Sequence, residues 1–117
     1  MIKRKIAVNF DGTIVENKFP LIGPLVPGAL AVLFELQQAG HILLLETSRK
    51  NQELKEAIDF CIKCSLNFEE NDGSFDLLIS DKAIGCPLIF PKGKGRFPFA
   101  DWFKIRRILT HQPHINI

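Results

Sequence analysis

Three short apolar runs, each stopping at a cluster of polar residues, limit what this chain can fold into. They are Lys3 to Val8, ahead of Asn9 and Asp11; His41 to Leu45, ahead of Glu46-Thr47-Ser48-Arg49; and Asp76 to Ile79, ahead of Ser80-Asp81-Lys82. Apolar residues at consecutive positions suit strands covered on both faces, the condition of a parallel sheet. A helical pattern separates the first two runs: Pro27-Gly28 opens it, Leu30, Leu33, Phe34 and Leu36 recur at helical spacing, and Gly40 ends it. A second pattern follows the middle run, with Asn51 placed to cap a helix that carries Leu54, Ala57, Ile58 and Cys61 on one stripe, widened by Phe60 and Ile62. Strands alternating with helices predict an α/β fold, a three-layer Rossmann-like domain with a mainly parallel sheet. Open sheets of this kind gather ligands beyond the carboxyl ends of their strands, so the three polar clusters define one crevice.

The 117 residues, 46% of them hydrophobic, fit a single domain spanning residues 1–117. No apolar run reaches the length of a membrane span, and the start of the chain lacks a secretory pattern, so a soluble cytoplasmic protein is expected. Three cysteines, an odd count, fit thiols in a reducing compartment better than a disulfide framework. The net charge of +2 conceals an asymmetry: residues 1–81 hold 8 Lys/Arg against 12 Asp/Glu, whereas residues 82–117 hold 7 against 1. A basic, aromatic C-terminal segment (91–117) is thus joined to an acidic remainder.

The connecting stretches carry their own signals. Glu16 to Pro27 contains Pro20, Gly23, Pro24 and Pro27 among apolar residues, which predicts an irregular loop able to lean over the first strand's tip. Ser65 to Phe68 predicts a short strand, Glu69 to Ser74 a polar turn, and Leu88 to Phe90 a further strand. Pro91 to Pro98 is irregular and basic, and Asp101 is placed to cap a last helix running to about Leu109.

The first polar cluster is the most informative. Side chains alternate along a strand, so Asn9 and Asp11 are expected to face one way, with Gly12 permitting a sharp turn and Thr13 offering a hydroxyl and an amide to an oxyanion or hydrated cation. Asp-Gly-Thr behind an apolar strand, then a Thr behind a second and an acid behind a third, resembles the haloacid dehalogenase (HAD) superfamily of phosphatases. The similarity runs from about residue 5 to 85, and Val8 to Glu16 with the later Ser48-Arg49, Leu54 and Glu56-Ala57-Ile58 is similar to its small members without a large cap.

That resemblance implies a set of roles. Asn9 occupies the place of the nucleophilic aspartate, Asp11 that of the general acid and base, and Thr47 that of the phosphate-holding hydroxyl. Gly12, Thr13, Ser48 and Arg49 would join Thr47 around a phosphate, and Asn9, Asp11 and Asp81 would surround Mg²⁺. The departures carry chemical consequences. A carboxamide is a poor nucleophile, the family's lysine has no counterpart near Ser74-Phe75, and Gly85 and Cys86 stand where a second metal-binding acid would be. The expectation is a catalytically impaired protein, a pseudoenzyme with a weak or lost Mg²⁺ site that binds a phosphorylated ligand. The alternatives are an active Mg²⁺-dependent phosphomonoesterase carrying a changed nucleophile, and a basic adaptor for nucleic acid or protein.

Other residues read as structural. Cys61 and Cys64 have metal-like spacing but no second pair, and His41, His111 and His114 have no evident partner in the sequence. Arg49 and Lys50 suit either a ligand anion or a solvated helix entry. In the C-terminal segment, Trp102, Ile105, Ile108 and Leu109 share a helical face, which favours docking on the sheet over contact with nucleic acid. An open crevice on a small domain also allows a homodimer.

Overall fold

The computed structural model, which describes residues 3–113, 115 and 117, contains eight strands and three helices among those residues. In chain order they are β1 (Lys5–Asn9), β2 (Val15–Lys18), β3 (Leu21–Leu25), α1 (Ala29–Gln38), β4 (Ile42–Glu46), α2 (Asn51–Lys63), β5 (Phe68–Glu69), β6 (Leu77–Ile79), β7 (Leu88–Ile89), β8 (Phe99–Ala100) and α3 (Trp102–Thr110). Four strands form a parallel sheet in the order β5-β4-β1-β6, giving the small Rossmann-like α/β fold that the alternating pattern predicts.

Register positions the site. Ile6 pairs with Leu43 on one side and Leu77 on the other, and Asn9 pairs with Glu46, so the polar clusters that end β1, β4 and β6 stand side by side. Ile6, Val8, Leu43 and Ile79 enter one core with Leu33 and Leu36 of α1, Ala57 and Cys61 of α2, and Trp102, Ile105 and Leu109 of α3. Ala7 and Leu44, which alternate with these along their strands, are also buried, as a sheet without a wet face requires. Ile105 and Leu109 each contribute about 1.5–3 kcal/mol by burial, so apolar contact holds α3 down. The exposed Arg106–Glu35 pair, 2.7 Å apart, is screened by solvent and secondary.

Several local expectations are corrected. Residues 16–27 are not irregular: β2 and β3 pair antiparallel across a turn at Phe19-Pro20, because a two-stranded ribbon accepts prolines at positions whose N–H is not needed. β7 does not join the sheet but pairs with β8, a strand that proline-rich flanks conceal. Asn51 is the first residue of α2, at φ 54, and Lys50 is its N-cap without a side-chain bond. Ile58 and Ile62 do not extend the buried face, being 42% and 65% exposed. In the C-terminal segment Trp102 and Phe99 are buried, but Phe97, Phe103 and Ile108 lie open. His41 is buried, and its Nδ1 accepts the Arg4 backbone N–H at 3.0 Å; His114 lies outside the described residues.

Candidate functional site

The chain turns tightly as it leaves β1. The backbone N–H groups of Thr13, Ile14 and Val15 all point to the Phe10 carbonyl, and Gly12 donates to the Val15 carbonyl at 2.7 Å. Gly12 sits at φ 86, and a Cβ there would fall 2.7 Å from Asp81 Cγ, so only glycine permits both the turn and the approach of Asp81. The Ala100 N–H donates to the Gly12 carbonyl, and Trp102 Nε1 donates to the Thr13 carbonyl at 2.7 Å, which ties the turn to β8 and α3.

Asn9 and Asp11 serve different partners. Asn9 Nδ2 donates to the Asp11 carbonyl at 2.8 Å and to Asp81 Oδ1 at 2.9 Å. Both partners are acceptors, so the amide orientation is fixed by its bonds. Asp81 Oδ1 also receives the Thr13 hydroxyl at 3.0 Å, and the Asp81 N–H returns a bond to that hydroxyl at 3.0 Å. Thr13 is fully buried and committed to this exchange, so it is not presented to solvent as the sequence suggests.

The Asp11 carboxylate is held by Arg49, with Nε to Oδ2 at 2.7 Å and Nη2 to Oδ1 at 2.8 Å. The same guanidinium donates to the carbonyls of Pro20 at 3.1 Å and Leu21 at 2.8 Å, at the turn of the β2–β3 ribbon. Its Cζ lies 5.2 Å from the Phe10 ring centroid and 5.1 Å from that of Phe19, so the cation stands over both aromatic rings. The hydrogen bonds that Arg49 donates to Asp11 raise its pKa against the lowering effect of burial, so the group stays charged. A solvated helix entry is therefore excluded for Arg49. Thr47 Oγ1 accepts the Arg49 backbone N–H at 3.0 Å and is half-buried; Ser48 and Lys50 are exposed.

Five of the eight sequence-derived residues, Asn9, Asp11, Thr13, Arg49 and Asp81, thus form one bonded network where β1, β4 and β6 end, and Gly12 leaves the room that Asp81 occupies. Thr47 supports it through the Arg49 backbone, and Ser48 stands at its edge. The sequence did not disclose the carbonyls of Pro20 and Leu21, the rings of Phe10 and Phe19, or the Trp102 indole, since backbone acceptors and apolar rings carry no motif.

Of Asn9, Asp11 and Asp81, which the resemblance assigns to Mg²⁺, the Asp11 carbonyl and Asp81 Oδ1 accept from the Asn9 amide. Among the described residues no group of three or more His, Cys, Asp or Glu side chains converges on a point that could hold a metal.

No protein-family model matches the chain, and no curated protein matches it. Among solved structures, it is similar to the conserved protein coded by a locus of Bacteroides thetaiotaomicron, with 34% identity over 93% of this chain and 91% of that one and a TM-score of 0.72.

Proposed function

The chain belongs to the family of that conserved Bacteroides thetaiotaomicron protein, and from its own strand-tip residues we propose that it is a HAD-like, phosphatase-type domain closed to phosphoryl transfer, which acts by binding. One observation carries the reading. Asn9 bridges the Asp11 carbonyl and the Asp81 carboxylate with its own N–H groups, so an internal amide stands where phosphatase chemistry needs a cation. The same residue offers a neutral carboxamide instead of a nucleophilic carboxylate. Asp11, gripped at both oxygens by a buried guanidinium, is not free to carry a proton to a leaving group. Of the residues that the resemblance would set around a phosphate, Gly12, Thr13 and Arg49 are already engaged within the protein, which leaves Thr47 and Ser48 at the edge of the network.

The test is phosphate release from an aryl phosphate with Mg²⁺, comparing the parent chain with Asn9→Asp. The expected result is no turnover in the parent. Turnover gained by Asn9→Asp supports a phosphatase scaffold lacking only its nucleophile, and inertness in both supports a site altered beyond one residue. Mg²⁺-dependent turnover by the parent would refute the proposal.

A second reading, contact with a polyanion, draws on the C-terminal segment. Phe90 and Phe97 are 73% and 58% exposed, and Lys92 and Lys94 lie exposed between them. Arg96 is partly neutralised by Glu16 at 3.1 Å. Binding to single-stranded nucleic acid that weakens with salt and with neutralisation of Lys92 and Lys94 would support this reading; salt-independent binding would not.

A further inference from the structure

Next to the strand-tip network, the carboxyl ends of β4 and β5 and one side of α2 enclose a cavity of about 610 Å³. Its walls are of two kinds. Leu54, Ile58, Cys61 and Ile62 line it from α2, spaced i, i+4, i+7 and i+8 so that they form a single stripe, and Leu66 and Phe68 continue the apolar surface. The exposure of Ile58 and Ile62, 42% and 65%, has its explanation here: they face the cavity and not the core.

The rim is acidic. Glu46, Glu69 and Glu70 border the opening, and Asn71 Nδ2 donates to Glu46 Oε2 at 2.7 Å, which fixes one carboxylate in place. Arg49 is the only basic residue on the wall among the described residues, and its guanidinium is already bonded to Asp11, Pro20 and Leu21. An anionic head group would therefore meet three carboxylates and no available cation. The volume falls within the range of about 300–1,000 Å³ typical of small-molecule sites.

We propose that this cavity binds an amphipathic organic amine. Its alkyl or aryl body lies on Ile58, Ile62 and Phe68, and its ammonium group stands at the rim between Glu69 and Glu70. Apolar burial supplies the affinity, and the carboxylates supply the choice of head group by repelling the anionic counterpart. The proposal uses no property of Asn9 or Asp81, so it holds whether or not the strand tip is silent.

The experiment is an amide NMR titration of the full chain with n-octylamine and, separately, with n-octanoate, which share a tail and differ in charge. Octylamine is expected to give saturable shifts at Leu54, Ile58, Ile62 and Phe68, with a dissociation constant at least about ten-fold below that of octanoate. In the double variant Glu69→Gln/Glu70→Gln, altered only at exposed positions, that ratio is expected to collapse towards one. Equal binding of the two ligands by the parent, absence of saturable octylamine shifts, or shifts centred away from α2 would overturn the proposal. Shifts at the same residues on raising protein concentration alone would identify a second copy of the chain as the occupant and would also overturn it.

Discussion

Arg49 and Asp11 meet in a two-point ion pair, at 2.7 Å and 2.8 Å, in which the arginine side chain has no exposure to solvent. Paired with the ribbon carbonyls of Pro20 and Leu21, the guanidinium joins three separate segments at one cation. Removing one partner of a buried pair leaves the other uncompensated, which costs about 3–5 kcal/mol. Arg49→Met is therefore expected to lose roughly that much stability in urea. Arg49→Lys should fall between the two, since it keeps the charge but not the planar fork. The single tryptophan, buried Trp102, provides the fluorescence readout. Unchanged stability in Arg49→Met would show that the pair does not hold the ribbon.

Asn9→Asp replaces the donating amide with a third acceptor facing the Asp11 carbonyl and Asp81 Oδ1. The variant is expected to lose about 1–3 kcal/mol without metal, through unpaired and mutually repelling oxygens. Mg²⁺ should restore part of that loss and raise the melting temperature of the variant, while leaving the parent unmoved. A melting temperature of the parent that rises with Mg²⁺ would contradict the role assigned to Asn9.

Gly12→Ala combines a left-handed backbone at φ 86 with a Cβ driven into the Asp81 carboxylate. The backbone alone costs about 1–3 kcal/mol, and displacement of Asp81 adds to it. Calorimetric unfolding should show the loss, and the Asn9 side-chain amide resonances should move because their acceptor has moved. An unshifted pair of resonances would mean that Asp81 does not depend on the glycine.

Burial pushes the Cys61 thiol up to about 12. Unfolded, it titrates near about 8.5, so between these limits the unfolded chain releases a proton that the folded chain keeps. The folded pKa is raised, so the stabilisation is complete below about pH 8.5 and is lost as pH rises, at no more than about 1.4 kcal/mol per pH unit. Urea midpoints measured at about pH 8 and about pH 10 should therefore fall more steeply in the parent than in Cys61→Ala. Equal slopes would show that the thiol is not shielded.

The parallel sheet, its helices and the capping of α3 by Asp101 were legible because each depends on periodicity and on local chemistry. Positions 16–27 and 99–100 were not, since a proline-rich ribbon or a two-residue strand exists only through the partner it pairs with. Ile58 and Ile62 show the same limit on a helix: spacing identified an apolar stripe, but whether core or cavity lay opposite depended on where β5 ran.

By itself the sequence determined that Asn9, Asp11, Thr47 and Asp81 would come to one end of one sheet, because the pattern of a parallel sheet and the polar end of each apolar run are written along the chain. Only the tertiary structure decided what those residues do to one another. A side-chain amide donates, a carboxylate accepts and a guanidinium is permanently charged, but which of them meet depends on angles and distances set by segments remote in sequence. Asn9 reaches Asp81 across 72 positions and Arg49 reaches Asp11 across 38, and those two contacts join the polar ends of separate strands into one network.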